Sequence, residues 1–249
     1  MAVAATDTSA WIRRFHPAPE AGDRLVCFPY AGGSASYFFS VARSLSPSVD
    51  VLAIQYPGRQ DRRKEPFIDN LPELAEACTK ALSGWTDRPL AFFGHSMGAA
   101  LAFEVALRLE QRGTVLTGLF ASGRRAPSRV RDEKEHLGTD AHLIREIKGL
   151  GSAESSLLDD QEIVSMVLPA IRNDYKAAEA YRYSPGPRLN CPVYALTGDG
   201  DPKATVDEVK SWGEHTTAGF ELSVFPGGHF FVNDHLPAIL ELISTKLRT

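Results

Sequence analysis

The sequence predicts an α/β fold: a mostly parallel sheet with helices on both faces and a helical lid insertion. Short apolar runs of the buried-strand kind, RLVCF, VDVLAIQY, PLAFF, VLTGLFAS, CPVYALTG and FELSVF, alternate with helical patterns. The run PLAFF stops at GHSMG, residues 94–98, and a helix-forming run follows at once. Between LFAS and CPVYAL lie roughly 65 residues, where a connecting loop usually takes about 2 to 6 and a whole crossover needs only a dozen or more.

In chain order, WIRRF at 11–15 is a candidate edge strand, and RLVCF and VDVLAIQY supply buried ones. After Ser96, Leu101, Val105 and Leu109 recur at four-residue steps among strong helix formers, and Gly113 ends the pattern. VLTGLFAS is the next strand, and residues 124–190 form the insertion. Its helical patterns fall at Leu143, Ile144 and Ile147, then at Ile163, Met166, Val167 and Ile171, with Pro169 predicting a kink or a restart. We read it as a lid over a pocket, against the plainer alternative of a surface decoration. CPVYALTG and FELSVF complete the sheet, and LPAILELISTKL, 236–247, is an amphipathic closing helix.

A chain of 249 residues suits one domain, 1–249, carrying that insertion. Apolar residues at 43% and charged residues at 23% match soluble globular usage and oppose a disordered or membrane-embedded class. The formal charge of -4, from 27 basic and 31 acidic residues, gives no electrostatic footprint for nucleic acid. MAVAATDTSAW has Asp7 and no basic residue before an apolar stretch, unlike a secretory signal. Leu25 to Ala42 is free of charge but interrupted by Pro29, Gly32 and Gly33, unlike a membrane span. Cys27, Cys78 and Cys191 are odd in number and lack paired metal-ligand spacing, which fits reduced thiols in a cytosol, and Cys27 and Cys191, each in a strand-like apolar run, read as buried structural thiols. A soluble cytoplasmic protein is expected, with no nucleic-acid or membrane partner and a monomer slightly favoured.

A G-x-S-x-G pattern carries chemistry only between a buried strand and a helix, and GHSMG has both. Flanking glycines permit the tight turn that lifts the Ser96 hydroxyl into the open, where the helix N-terminus favours an oxyanion. The hydroxyl needs a base. Of seven histidines, His229 in FPGGHFF follows the last strand on a glycine-bearing loop that reaches the carboxyl edge of the sheet. His235 opens the final helix, His215 follows a surface helix, and His95 is tied beside the serine facing elsewhere. TGDGDP offers two acids to orient the imidazole: Asp199 reads as a turn residue, while Asp201 reaches further into the loop and is favoured. Backbone amides of Met97 and Ala31, the latter in CFPYAGGSASYF, are candidate oxyanion donors, and Tyr30 and Phe230 are candidate pocket walls.

FPYAGGSASYF, YPGRQDR, FFGHSMGA, TGDGDP and FPGGHFF share the order and spacing of the α/β-hydrolase type II thioesterases, and RNDYKAAEAYRY is similar to their lid. The chain resembles that family from about Trp11 to the final helix. The family holds the stand-alone editing enzymes of polyketide and nonribosomal peptide assembly lines. The resemblance implies Ser96 as nucleophile, His229 as base and Asp201 as acid. The implied substrate is an acyl thioester on the phosphopantetheine arm of an acyl or peptidyl carrier protein, with no metal and no cofactor beyond that arm. No carrier or synthase segment accompanies the chain, which favours the stand-alone role. GRQDRRK (58–64) and GRRAPSRVR (123–131) offer a docking surface for an acidic carrier or, equally, solvated loop faces. The alternatives are a small-molecule esterase or lipase and an acyltransferase using the same residues. A non-catalytic binding module has no need of all three.

Overall fold

In the computed structural model, which describes residues 10–151 and 158–247, the apolar runs form one seven-stranded sheet. Its strands are β1 (Ile12–Arg13), β2 (Asp23–Phe28), β3 (Val49–Ile54), β4 (Leu90–His95), β5 (Gly118–Ser122), β6 (Val193–Gly198) and β7 (Phe220–Phe225). Their spatial order is β1-β3-β2-β4-β5-β6-β7, with β1 antiparallel to β3 and every other pairing parallel. The helices are α1 (Phe39–Leu45), α2 (Leu71–Leu82), α3 (Met97–Gln111), α4 (Asp140–Gly149), α5 (Gln161–Ala180), α6 (Val206–Lys210), α7 (Phe231–Asp234) and α8 (Leu236–Leu247).

Parallel strands covered on both faces need apolar residues at successive positions, which is why the runs are continuous. In β2, Leu25 and Cys27 join the core under α1 and α8, whereas Val26 and Phe28 join the core under α2 and α3. The sheet therefore separates two cores. Gly113, at φ 88, ends α3 in a conformation that suits glycine. WIRRF does add an edge strand, and the closing helix spans the expected residues.

The connection from β5 to β6 holds α4 and α5, with a small core of Leu143, Leu158, Val164, Leu168 and Ile171. Two expectations are corrected here. Pro169 does not restart the pattern; it lies inside α5, which runs through it from Gln161 to Ala180. A proline removes the bond to the carbonyl four residues back, that of Ser165, and both residues are on the exposed side of the helix, where water can serve that carbonyl. Met166 belongs to no apolar face and is 70% exposed.

The two basic stretches are also less superficial than expected. Arg59, Arg62 and Arg125 are buried, and each is committed to a carboxylate: Asp174, Glu65 and Glu133 respectively. Arg62 also lies over the Trp11 ring, 4.1 Å from its centroid. Guanidinium groups can be taken from water only when so paired, and these pairings tie loops to the body of the fold. Among the described residues, no helix is long and apolar enough to cross a membrane. Cys27, Cys78 and Cys191 are buried free thiols, and burial raises the pKa of each, that of Cys191 to about 12.

Candidate active site

Ser96 stands between β4 and α3 with φ 55 and ψ -120, a conformation that L-residues rarely adopt. Its neighbours explain how the turn closes. A Cβ on Gly94 would lie 2.3 Å from the Gly98 carbonyl oxygen, and one on Gly98 would lie 2.1 Å from that of Phe28. The Ser96 N–H donates to the Ser122 carbonyl at 2.8 Å, so β5 holds the turn from the side.

His229 follows β7 and Asp201 follows β6. His229 Nε2 lies 3.0 Å from Ser96 Oγ, and Nδ1 lies 3.0 and 2.9 Å from the two oxygens of Asp201. A carboxylate only accepts, so Nδ1 carries the proton and Nε2 faces the hydroxyl as an acceptor. Both residues are buried, at 2% and 4% exposure. Lys203 N–H donates to Asp201 Oδ1 at 2.8 Å and steadies the carboxylate. Asp199 instead accepts from Gly227 N–H at 2.9 Å, bracing the loop that presents His229.

His95 is tied down as expected, its Nδ1 3.0 Å from Ser122 Oγ. Burial, helped by nearby His229, pushes its pKa well below 6.5, so it stays neutral. His215 departs from the surface expectation: it is 2% exposed and packs on Trp212, Phe103 and Tyr183. His235 Nε2 donates to the Pro226 carbonyl at 2.9 Å, away from Ser96.

Ser96, Met97, Ala31, Tyr30, Phe230 and His229 all line one cavity of about 420 Å3. Tyr30 and Phe230 pack edge to face with centroids 5.0 Å apart. Met97 opens α3, where first-turn amides have no acceptor within the helix. Ile147, Leu150, Ile163, Val167 and Ile171 of the insertion give the cavity an apolar wall. Arg124, Lys203 and Glu133 give it a charged one. Burial, reinforced by Arg125, lowers Arg124 to about 10, which leaves it a cation at neutral pH.

Asp174 is the residue that sequence reasoning misses. Placed one turn beyond Ile171 on the inward side of α5, it is 1% exposed and receives Arg59 at 2.5 and 2.8 Å. A carboxylate in phase with an apolar helix face was the available signal. Among the described residues, Glu135, His142 and Glu146 of the insertion have metal-ligand proximity, with donor atoms within 4.8 Å. His142 Nε2 is already 2.5 Å from Glu135, and none of these residues lines the cavity.

A mostly parallel sheet whose central strand turns through a strained serine into a helix, with histidine and acid arriving from later loops, defines an enzyme of the α/β-hydrolase fold. The chain belongs to the thioesterase domain family, whose model matches residues 23–247. It is 51% identical over 243 residues to Thioesterase PikA5 of Streptomyces venezuelae, covering 97% of this chain and 86% of that protein. The type II thioesterase BorB from the borrelidin biosynthetic cluster superposes with a TM-score of 0.91 at 50% identity, over 96% of this chain and 98% of its own. RedJ, a thioesterase from the prodiginine biosynthetic pathway in Streptomyces coelicolor, gives 0.86 at 39% identity, over 91% and 86%.

Proposed function

We propose that this thioesterase is a stand-alone editing enzyme that hydrolyses aberrant or stalled acyl groups from the phosphopantetheine arm of carrier proteins in polyketide or nonribosomal peptide synthesis. One observation carries the reading: the relay from Asp201 through His229 to Ser96 opens into a cavity walled by α4 and α5. The likeness to PikA5 and BorB over nearly their whole lengths supports the stand-alone role. Residues 124–190 serve as the lid, and the single domain 1–249 is otherwise the hydrolase body.

Ser96 Oγ attacks the thioester carbonyl while His229 Nε2 takes its proton, and Asp201 stabilises the imidazolium that forms. The tetrahedral oxyanion accepts from the Met97 and Ala31 amides, each such donor supplying about 2.7 to 4 kcal/mol of transition-state stabilisation. His229 returns the proton to the leaving pantetheine sulfur as the C–S bond breaks. It then takes a proton from water, which attacks the acyl-serine, and gives that proton back to Ser96 Oγ as the free acid leaves. Bonds and protons balance with side chains and water alone, so the sequence of steps calls for no metal or redox cofactor. Tyr30, Phe230 and the apolar insertion residues receive the acyl group.

Hydrolysis of acyl groups from a carrier protein is the direct test. Ser96→Ala should lower it by several orders of magnitude while leaving the circular dichroism spectrum unchanged. Near-normal turnover in that variant would refute the assignment. A faster rate on a simple oxygen ester than on the carrier-bound thioester would instead favour the esterase reading.

A further inference from the structure

The proposed reaction gives Asp174 no role, yet its carboxylate is among the most enclosed charges in the described structure, at 1% exposure. Its Oδ2 accepts from the Gly32 N–H at 2.7 Å and from Arg59 Nη1 at 2.5 Å, and its Oδ1 accepts from Arg59 Nη2 at 2.8 Å. Arg59 Nη1 also donates to the Gly33 carbonyl at 3.2 Å. On the other side of the same loop, the buried Tyr56 hydroxyl donates to the Pro29 carbonyl at 3.0 Å.

These contacts surround one peptide unit. The Tyr30 carbonyl accepts from Gly33 N–H at 2.9 Å, and in a trans peptide the N–H points opposite to the carbonyl. The direction of the Ala31 N–H is therefore set by where Gly33 sits. Gly33 is held by Arg59 at its carbonyl and by Asp174 at the amide just before it. A Cβ on Gly32, whose φ is 81, would lie 2.4 Å from Ile171 Cγ1. The first bare turn of the loop thus lets α5 descend directly onto it, and Asp174 bridges a separation of 142 residues to reach the Gly32 amide.

We infer that Asp174, through Arg59 and the Gly32 amide, is a positioning residue that aims the Ala31 N–H at the developing oxyanion, so that the insertion helix helps to build the oxyanion hole as well as the acyl chamber. The inference rests on the acyl-serine chemistry proposed above. It predicts a loss expressed in the transition state and not in substrate binding, because Asp174 itself need not touch the acyl group.

The test compares two probes in Asp174→Asn and Arg59→Lys, the latter keeping the charge but losing the two-pronged contact. One probe is an alkyl boronic acid, whose tetrahedral adduct on Ser96 places an oxygen where the oxyanion would be. The other is an acyl-pantetheine analogue with the carbonyl replaced by methylene, which has no oxygen to stabilise. Both variants should lose about 10- to 100-fold in kcat and a matching factor in boronate affinity, with analogue affinity within about twofold of the parent. Equal loss for both probes, or no loss for the boronate, would overturn the inference. If Asp174→Asn does not fold, Arg59→Lys decides by the same comparison. Ser96→Ala assayed alongside keeps the two ideas apart, since normal turnover there sinks the reaction, whereas an unselective loss in the loop variants sinks only the positioning role.

Discussion

At Ser96, a backbone angle that glycine tolerates is imposed on a residue that must keep its hydroxyl. The same turn leaves His95 behind the serine, enclosed and neutral. That has a consequence for pH. The folded-state pKa of His95 lies below the unfolded value of 6.5, so in the window between them the unfolded chain binds a proton that the native chain refuses. Stability present at neutral pH is therefore lost as pH falls below 6.5, and buried His215, whose pKa is also lowered by burial, adds to the same trend. Urea midpoints measured from about pH 7.5 to about pH 5 should decline, and His95→Asn, which does not titrate there, should decline less steeply. Identical slopes in the two proteins would count against His95 as a source. Ser96, Asp201 and His229, which the fold brings within hydrogen-bond reach of one another, could be singled out in the sequence because each lies on the loop or turn that follows a strand-like apolar run. Choosing between Asp199 and Asp201 was harder from residues alone, since both follow the same strand and only the fold separates the loop brace from the imidazole partner.

At the scale of elements, the junction of β4 and α3 is the place where packing and chemistry meet. Gly98 lies against the Phe28 and Pro29 carbonyls, with no room for a methyl group. Gly98→Ala should push α3 away from β2, lower stability by about 1 to 3 kcal/mol as overpacked sites do, and reduce turnover further by misplacing Ser96 and the Met97 amide. Thermal melts and steady-state assays on one preparation check both halves, and a variant with parental melting temperature and rate would contradict the close approach. Strand runs were readable because two-sided burial demands unbroken apolar sequence, as in VLAI of β3. The course of α5 was not, because Pro169 is costly only where the freed carbonyl is denied water, and that depends on which face the neighbouring elements leave open. The Asp174 pair was equally hidden: its partners are 115 residues apart in sequence, and no local pattern joins them.

Over the whole molecule, cations that look like a surface in the sequence turn out to be fastenings. Arg62 donates to the Gln55 carbonyl at 2.7 Å, pairs with Glu65 and stacks on Trp11, whereas Arg63 next to it is exposed. Arg62→Glu should therefore lower the melting temperature by several degrees and affect a carrier-bound substrate and a small thioester alike, while Arg63→Glu should leave stability nearly unchanged. A selective rise in KM for the carrier substrate in Arg62→Glu, without loss of stability, would restore a docking role for that residue. The burial of the three cysteines has a different kind of consequence. Each turnover of a thioester liberates a mercaptan beside the protein, and an accessible cysteinate could capture an acyl group by exchange or couple oxidatively with that mercaptan. With Cys27, Cys78 and Cys191 sealed in the core and held protonated, the catalyst is chemically orthogonal to its own product.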